Sequence, residues 1–290
     1  MSETSNDIPI EAWDTVLFEK FVRFKGVMTR GLSGHGDEAL RRHPFPPGAR
    51  VLDIGCGFGD ATQQVAAQVG AKGEAIGVDC AKNFIAASQE AAASARVANA
   101  SFFVADVQSE NLRGPYDHAF ARFGTMFFNM PGAALRNIRK ALKPGGRFTQ
   151  VVWRKREDNQ WLHEAELLVK EMVPVVAHED THLVHCGPGP FSMAGADLVS
   201  DMLKGAGFDH IMFERYDAES NIGANLDEAV EFALALGPAG EIIRLAGAEG
   251  EKRKPQVVAA LRKMLATHQR ADGGIWAGSS SWFISAINPS

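Results

Sequence analysis

Residues 51–60 read VLDIGCGFGD, and they decide the fold. Val51, Leu52 and Ile54 form the apolar run of a short buried strand, and glycines at 55, 57 and 59 bend the chain sharply into a helix. Lacking a Cβ, a glycine lets a ligand approach the backbone closely. Asp53 stands just before the bend, where its carboxylate can accept hydrogen bonds from a cationic or N–H-bearing group. An amino-acid end with an ammonium group suits that combination better than a bare pyrophosphate.

A dinucleotide site would want G-x-G-x-x-G, with its last glycine at position 60. That position holds Asp60, whose charge would repel phosphates. Asp60 reads instead as the cap of the helix after the glycine bend.

Working outward, short apolar runs alternate with helical segments. Strand one covers 50–54, a helix 60–69, strand two ends at Asp79, and an alanine-rich helix covers 82–97. Strand three, SFFVAD, ends at Asp106, and strand four spans 116–123. Pro131 suits the first turn of the next helix, with Asn129 as its cap; KPGG ends that helix before strand five, RFTQVVW. Beyond them come helices at 159–173 and in GADLVSDMLKGAGF, then a strand at 210–216. Two or three amphipathic helices follow, and a last strand, SSSWFISAIN. Strand–helix alternation implies a parallel sheet with helices on both faces. Ligands bind such sheets beyond the carboxyl ends of the strands, where strand order reverses. Asp53, Asp79 and Asp106 end three strands, and Arg122 and Phe123 end the fourth. An aspartate at a strand end also serves as a turn former, so these carboxylates carry both readings.

With 290 residues, 46% of them hydrophobic, the chain can fill one large core with insertions. A formal net charge of −5 argues against a general nucleic-acid binder; the basic clusters 41–42, 154–156 and 252–254 read as solvated surface. Cys56, Cys80 and Cys186 are odd in number and scattered, which fits reduced thiols in a cytoplasmic protein. No apolar stretch approaches the ~20 residues that cross a bilayer, and the polar start MSETSNDIP does not read as a signal peptide.

In their order along 46–155, VLDIGCGFGD, AIGVDCAK, FFVADVQ, ARFGTMFF and LKPGG resemble the motifs of class I S-adenosylmethionine-dependent methyltransferases. ARFGTMFF, PGPFSM and GAGF also look like the small-molecule branch related to ubiquinone/menaquinone C-methyltransferases. The resemblance implies an α/β, doubly wound, Rossmann-like fold. Its seven-stranded sheet is mostly parallel, with the last strand inserted antiparallel between its neighbours. It implies S-adenosyl-L-methionine as cofactor, with Gly55, Gly57 and Gly59 wrapping the methionine portion and Asp53 near its amino group. Asp79, twenty positions after Gly59, would take the ribose hydroxyls through both carboxylate oxygens. Cys80 would pack on the adenine, Asp106 would accept from its 6-amino group, and Val107 would lie beside the ring. Arg122 and Phe123 would close the methionine end and face the substrate. Arg122 departs from the smaller or polar residues common there. The buried thiol of Cys56 does not read as a nucleophile, because nothing basic adjoins it in sequence.

Around the core, one domain of residues 1–290 divides into a helical lid (1–45), the cofactor core (46–155), an insertion over the substrate site (156–192) and a C-terminal part (193–290). The lid is read from the apolar stripe at 13, 17, 21, 24 and 28. GLSGHGDEAL reads as a glycine-rich connection that carries Ser33 and His35. His178, His182, His185 and Cys186 have ligand chemistry but no established zinc spacing, so no metal is expected. Phe127, Phe128, Trp153 and Trp161 would give the pocket an apolar wall. A general base, where the acceptor needs one, would be His35, His163 or a histidine of 178–185, and no catalytic residue is assigned. The expectation is methyl transfer to a small organic molecule, with the O-, N-, C- or S-acceptor open and neither nucleic acid nor membrane as partner; a homodimer is left open. The alternatives are an NAD(P)- or flavin-dependent oxidoreductase and a non-catalytic S-adenosylmethionine-binding regulator.

Overall fold

A computed structural model describes residues 9–174 and 188–289. Strands β1 (Arg50–Ile54), β2 (Glu74–Asp79), β3 (Ala100–Val104), β4 (Tyr116–Arg122), β5 (Leu142–Trp153), β6 (Asp209–Gly223) and β7 (Ile275–Ile287) form one sheet, ordered β3-β2-β1-β4-β5-β7-β6. The first five are parallel, and β7 runs antiparallel to both β5 and β6, as the resemblance implied. β1 lies in the interior of the sheet. Val51, Leu52 and Ile54 are fully buried there, which is why its apolar run is nearly continuous rather than alternating. Strand order reverses between β1 and β4, so the carboxyl ends of those two strands open a crevice.

The chain begins with α1 (Ile10–Ala12), a π-helical turn (Trp13–Leu17), α2 (Phe18–Arg23) and α3 (Lys25–Arg42). The sheet is then wrapped by α4 (Asp60–Val69), α5 (Lys82–Ser94), α6 (Pro131–Ala141), α7 (Gln160–Met172) and α8 (Ala196–Gly205). Between β6 and β7 come α9 (Leu226–Leu236), α10 (Pro238–Leu245) and α11 (Gly247–Ala266). They build two satellite cores beside the main one, one with α7 and the other with Phe24, Val27 and the paired ends of β6 and β7.

Several elements differ from the sequence expectation. GLSGHGDEAL is helical, part of α3. Two of its glycines serve close packing rather than a turn: a Cβ on Gly31 would come within 2.9 Å of the Asn221 carbonyl oxygen on β6, and one on Gly36 within 2.6 Å of Arg122 Cδ. Pro131 does start α6, but the cap position is Met130, without a side-chain bond, and not Asn129. KPGG lies within β5 rather than before it, at an irregularity in the pairing with β4. β6 extends seven residues past the expected end at 216, because its second half pairs with β7 and is buried at 220–223. α11 passes through Pro255. The His178–Cys186 segment lies outside the described residues.

Candidate functional site

The crevice over β1 and β4 opens into a cavity of about 1000 Å³. Among the ten residues expected at a cofactor site, Asp53, Gly55, Gly57, Asp79, Cys80, Asp106, Val107, Arg122 and Phe123 line it. Gly59 does not. Its Cβ position points at Ser88 Cβ (2.8 Å) and the Phe102 ring (3.0 Å), so this glycine lets the start of α4 sit tightly on α5 and β3. With φ +78° it is also the N-cap of α4, which makes Asp60 the first helical residue rather than the cap. Gly57 is the opposite case. At φ +53° a Cβ would meet nothing within 4 Å, and the bare backbone faces the cavity.

Asp79, at the end of β2, holds the glycine bend in place: its Oδ2 accepts from the Gly57 N–H and its Oδ1 from the Ala81 N–H, both at 3.1 Å. Burial raises its pKa against those bonds, while the remaining lone pairs stay available to a ligand. Asp106 follows β3 by two residues and is committed to its own turn. Its Oδ1 accepts from the Gln108 backbone (2.9 Å) and side chain (3.1 Å), and its Oδ2 from the Ser109 hydroxyl (3.1 Å). The turn-former reading therefore holds for Asp106 alongside any ligand role.

Asp53 is 1% exposed and accepts a 2.6 Å hydrogen bond from the Thr62 hydroxyl on α4. Burial pushes its pKa up to about 6, against the opposing pull of Thr62 and of Arg122. Cys80 is likewise pushed up, to about 12, by burial and by Asp79, so it is an inert thiol. Cys56 is buried and its thiol is raised well above the ordinary value for the same first cause.

Phe123 adopts φ +58°, a left-handed conformation that is strained for a bulky residue. It is held there by stacking on Trp153 at 4.1 Å between ring centroids and by its N–H bond to Val151. From Phe123 the aromatic wall continues edge-on from Trp153 to Trp161 (5.8 Å), which stacks on Phe232 of α9 (5.8 Å). All four rings line the cavity, as do Phe127 and Phe128.

The N-terminal stripe contributes Trp13, Leu17, Phe21 and Met28 to the cavity wall. Phe24 packs instead on Phe232, in a satellite core. Asp14 ties this segment to α5, its carboxylate accepting from the Asn83 N–H and its carbonyl from the Asn83 side chain, both at 2.7 Å.

Two of the histidines proposed as bases stand elsewhere. His35 is fully buried between the Ser281 and Ser279 hydroxyls (2.8 Å each), and burial lowers its pKa to about 4. Neither His35 nor His163 lines the cavity, nor does Ser33. Sequence reading missed Asp60, Phe58 and Phe84, which all do. For Asp60 the signal was present: a side chain in the first turn of a helix leans back toward the N-terminus, here toward the crevice.

Residues 46–182 match the methyltransferase-domain family. A 2-phytyl-1,4-naphtoquinone methyltransferase from Synechococcus elongatus is 36% identical over 115 residues, 38% of this chain and 48% of that protein. Nocamycin O-methyltransferase from Saccharothrix syringae is 28% identical over 181 residues, 60% of this chain and 64% of its own. The chain spans about half the length of the first curated relatives it matches. Among solved structures, the YcgJ protein from Bacillus subtilis superposes with a TM-score of 0.57 at 17% identity, over 88% of this chain and 98% of that one. Phosphoethanolamine N-methyltransferase 2 from Haemonchus contortus, in complex with S-adenosyl-L-methionine, gives 0.57 at 17% identity, over 98% and 60%. At these identities the structures speak for the fold.

Proposed function

We propose that this chain, whose residues 46–182 match the methyltransferase-domain family, is a class I S-adenosylmethionine-dependent methyltransferase that moves a methyl group from S-adenosyl-L-methionine to a small organic molecule. One observation carries the reading: nine of the ten residues expected to hold that compound line a single cavity over the strand-order reversal. The site fits the compound. A bare glycine backbone at 57 leaves room for it, and Asp79 offers a carboxylate to a vicinal diol. Asp106, Cys80 and Val107 line the same cavity. Bound there, S-adenosylmethionine supplies a methyl group already activated by a sulfonium.

The protein's part is positioning and exclusion of water. Holding reacting atoms within ~3–3.5 Å and in line accounts for much of such an acceleration. Asp79 and the 55–57 backbone fix one end of the donor. The ladder of Phe123, Trp153, Trp161 and Phe232, with Leu162 and Ile222, forms the acceptor wall. Such a surface favours an apolar or ring-bearing acceptor over a highly charged one. Cys56 and Cys80, both free thiols, suit a reducing compartment such as the cytoplasm. Among the described residues, no helix is long and apolar enough to cross a membrane.

Titration calorimetry with S-adenosyl-homocysteine tests the donor assignment. Asp79→Ala should weaken binding by ~1.5–3 kcal/mol, roughly tenfold or more. Unchanged affinity in a folded Asp79→Ala protein rejects the ribose assignment. A tritiated-methyl screen across quinols, phenols, amines and thiols then identifies the acceptor.

A further inference from the structure

Among the described residues, Arg122 is an arginine whose hydrogen-bonding capacity is unspent. Its side chain is 16% exposed and lines the cavity, yet its nearest ionic neighbour, Asp60, is 4.0 Å away, beyond hydrogen-bond reach. Among the described residues no hydrogen bond engages its guanidinium. A guanidinium carries five donors in a planar fork that matches a carboxylate edge to edge, and leaving such donors unpaired away from water is costly.

The fold makes room for this side chain deliberately. Gly36, buried in α3, lies against its stem: a Cβ there would fall 2.6 Å from Arg122 Cδ. The side chain thus runs between α3 and the start of α4, with Asp60 opposite it and Asp53 on the neighbouring strand. Two carboxylates and one guanidinium thus line the cavity as near neighbours. Their charge pattern complements a group carrying one anion and two cations. The aminoacyl sulfonium end of the donor has this pattern: a carboxylate, an ammonium and a sulfonium.

Resting on the methyl-donor reading above, we infer that Arg122 receives the aminoacyl carboxylate of the donor in its fork, while Asp60, facing it, takes the ammonium. Asp60 then has a role that its place at the head of a helix conceals, and Arg122 is a positioning residue that fixes where the sulfur sits.

Three probes separate the contributions by calorimetry: S-adenosyl-homocysteine, its decarboxylated form, and 5′-methylthioadenosine, which lacks both charged groups. Arg122→Met should weaken S-adenosyl-homocysteine about tenfold or more, the effect of losing a charge-assisted pair. It should leave the decarboxylated form within about twofold of wild type. Asp60→Asn should weaken both ammonium-bearing probes and spare 5′-methylthioadenosine. Gly36→Ala repeats the test without touching the charge: by displacing the stem of Arg122 it should selectively weaken the carboxylate-bearing probe, and it carries the test if Arg122→Met does not fold. Equal losses on all three probes, or no loss on any, overturn the inference and leave the donor reading standing. A wild-type protein that binds none of the three overturns both.

Discussion

Asp53→Asn should make the protein more stable and worse at its task. The carboxyl is 1% exposed, and burial lifts its pKa from the ordinary 3.8 to about 6. A rise of about two units corresponds to about 3 kcal/mol between the folded and unfolded chains. The sign follows from proton counting. Between pH 4 and 6 the folded protein holds a proton that the unfolded chain has released, so stability falls as pH rises through that window. Above pH 6 the whole penalty of a buried carboxylate is present. Asparagine has the same shape, and its Oδ1 can still accept from Thr62, but it carries no charge. Urea denaturation followed by tryptophan fluorescence at pH 4, 6 and 8 measures the gap between variant and wild type. That gap should be small at pH 4 and grow to as much as about 3 kcal/mol at pH 8. Other titrating groups cancel in the comparison, including His35. A gap of equal size at pH 4 and pH 8, or a variant less stable than wild type at pH 8, refutes the reasoning. In the same preparation S-adenosyl-homocysteine should bind more weakly, because one of the carboxylates that line the cavity beside Arg122 has lost its charge.

The buried His35 should give the reverse slope. Its pKa falls from 6.5 to about 4, so the unfolded chain takes up the proton first and stability is lost as pH drops from 6.5 toward 4. His35→Phe should remove that acid dependence while costing about 2–3 kcal/mol at pH 8, since two buried serine hydroxyls lose a partner; matched urea titrations at pH 5 and 8 measure both. The two loop glycines should separate cleanly. Gly59→Ala forces a Cβ into Ser88 and Phe102 at φ +78° and should lower stability by about 2 kcal/mol or more. Gly57→Ala meets no neighbour, so it should cost about 1–2 kcal/mol from its backbone alone and show its main effect as weakened donor binding in calorimetry.

What could be read from the sequence was what local pattern controls. The apolar run ending in Asp53 and the strands ending in Asp79 and near Asp106 follow from strand periodicity and turn residues, and the parallel arrangement follows from strand–helix alternation, while the antiparallel insertion of the last strand was implied only by the family resemblance. What could not be read depended on partners far along the chain. Gly31 and Gly36 of α3 look like loop residues until Asn221 on β6 and Arg122 on β4 are brought against them. The second half of β6 has no apolar run to betray it and becomes strand because β7 pairs with it. Asp60 and Asp53 are both aspartates beside a glycine bend. Only packing buries one under Thr62 and turns the other toward Arg122.

β7 is the latest strand in the chain yet sits between β5 and β6. Until residues 275–287 have been synthesised and threaded home, the growing polypeptide presents two unsatisfied sheet margins, one on each side of a missing plank. A nascent chain arrested before that point would be sticky rather than half finished. The order of translation thus imposes a window of vulnerability that a chaperone, or rapid release from the ribosome, has to cover.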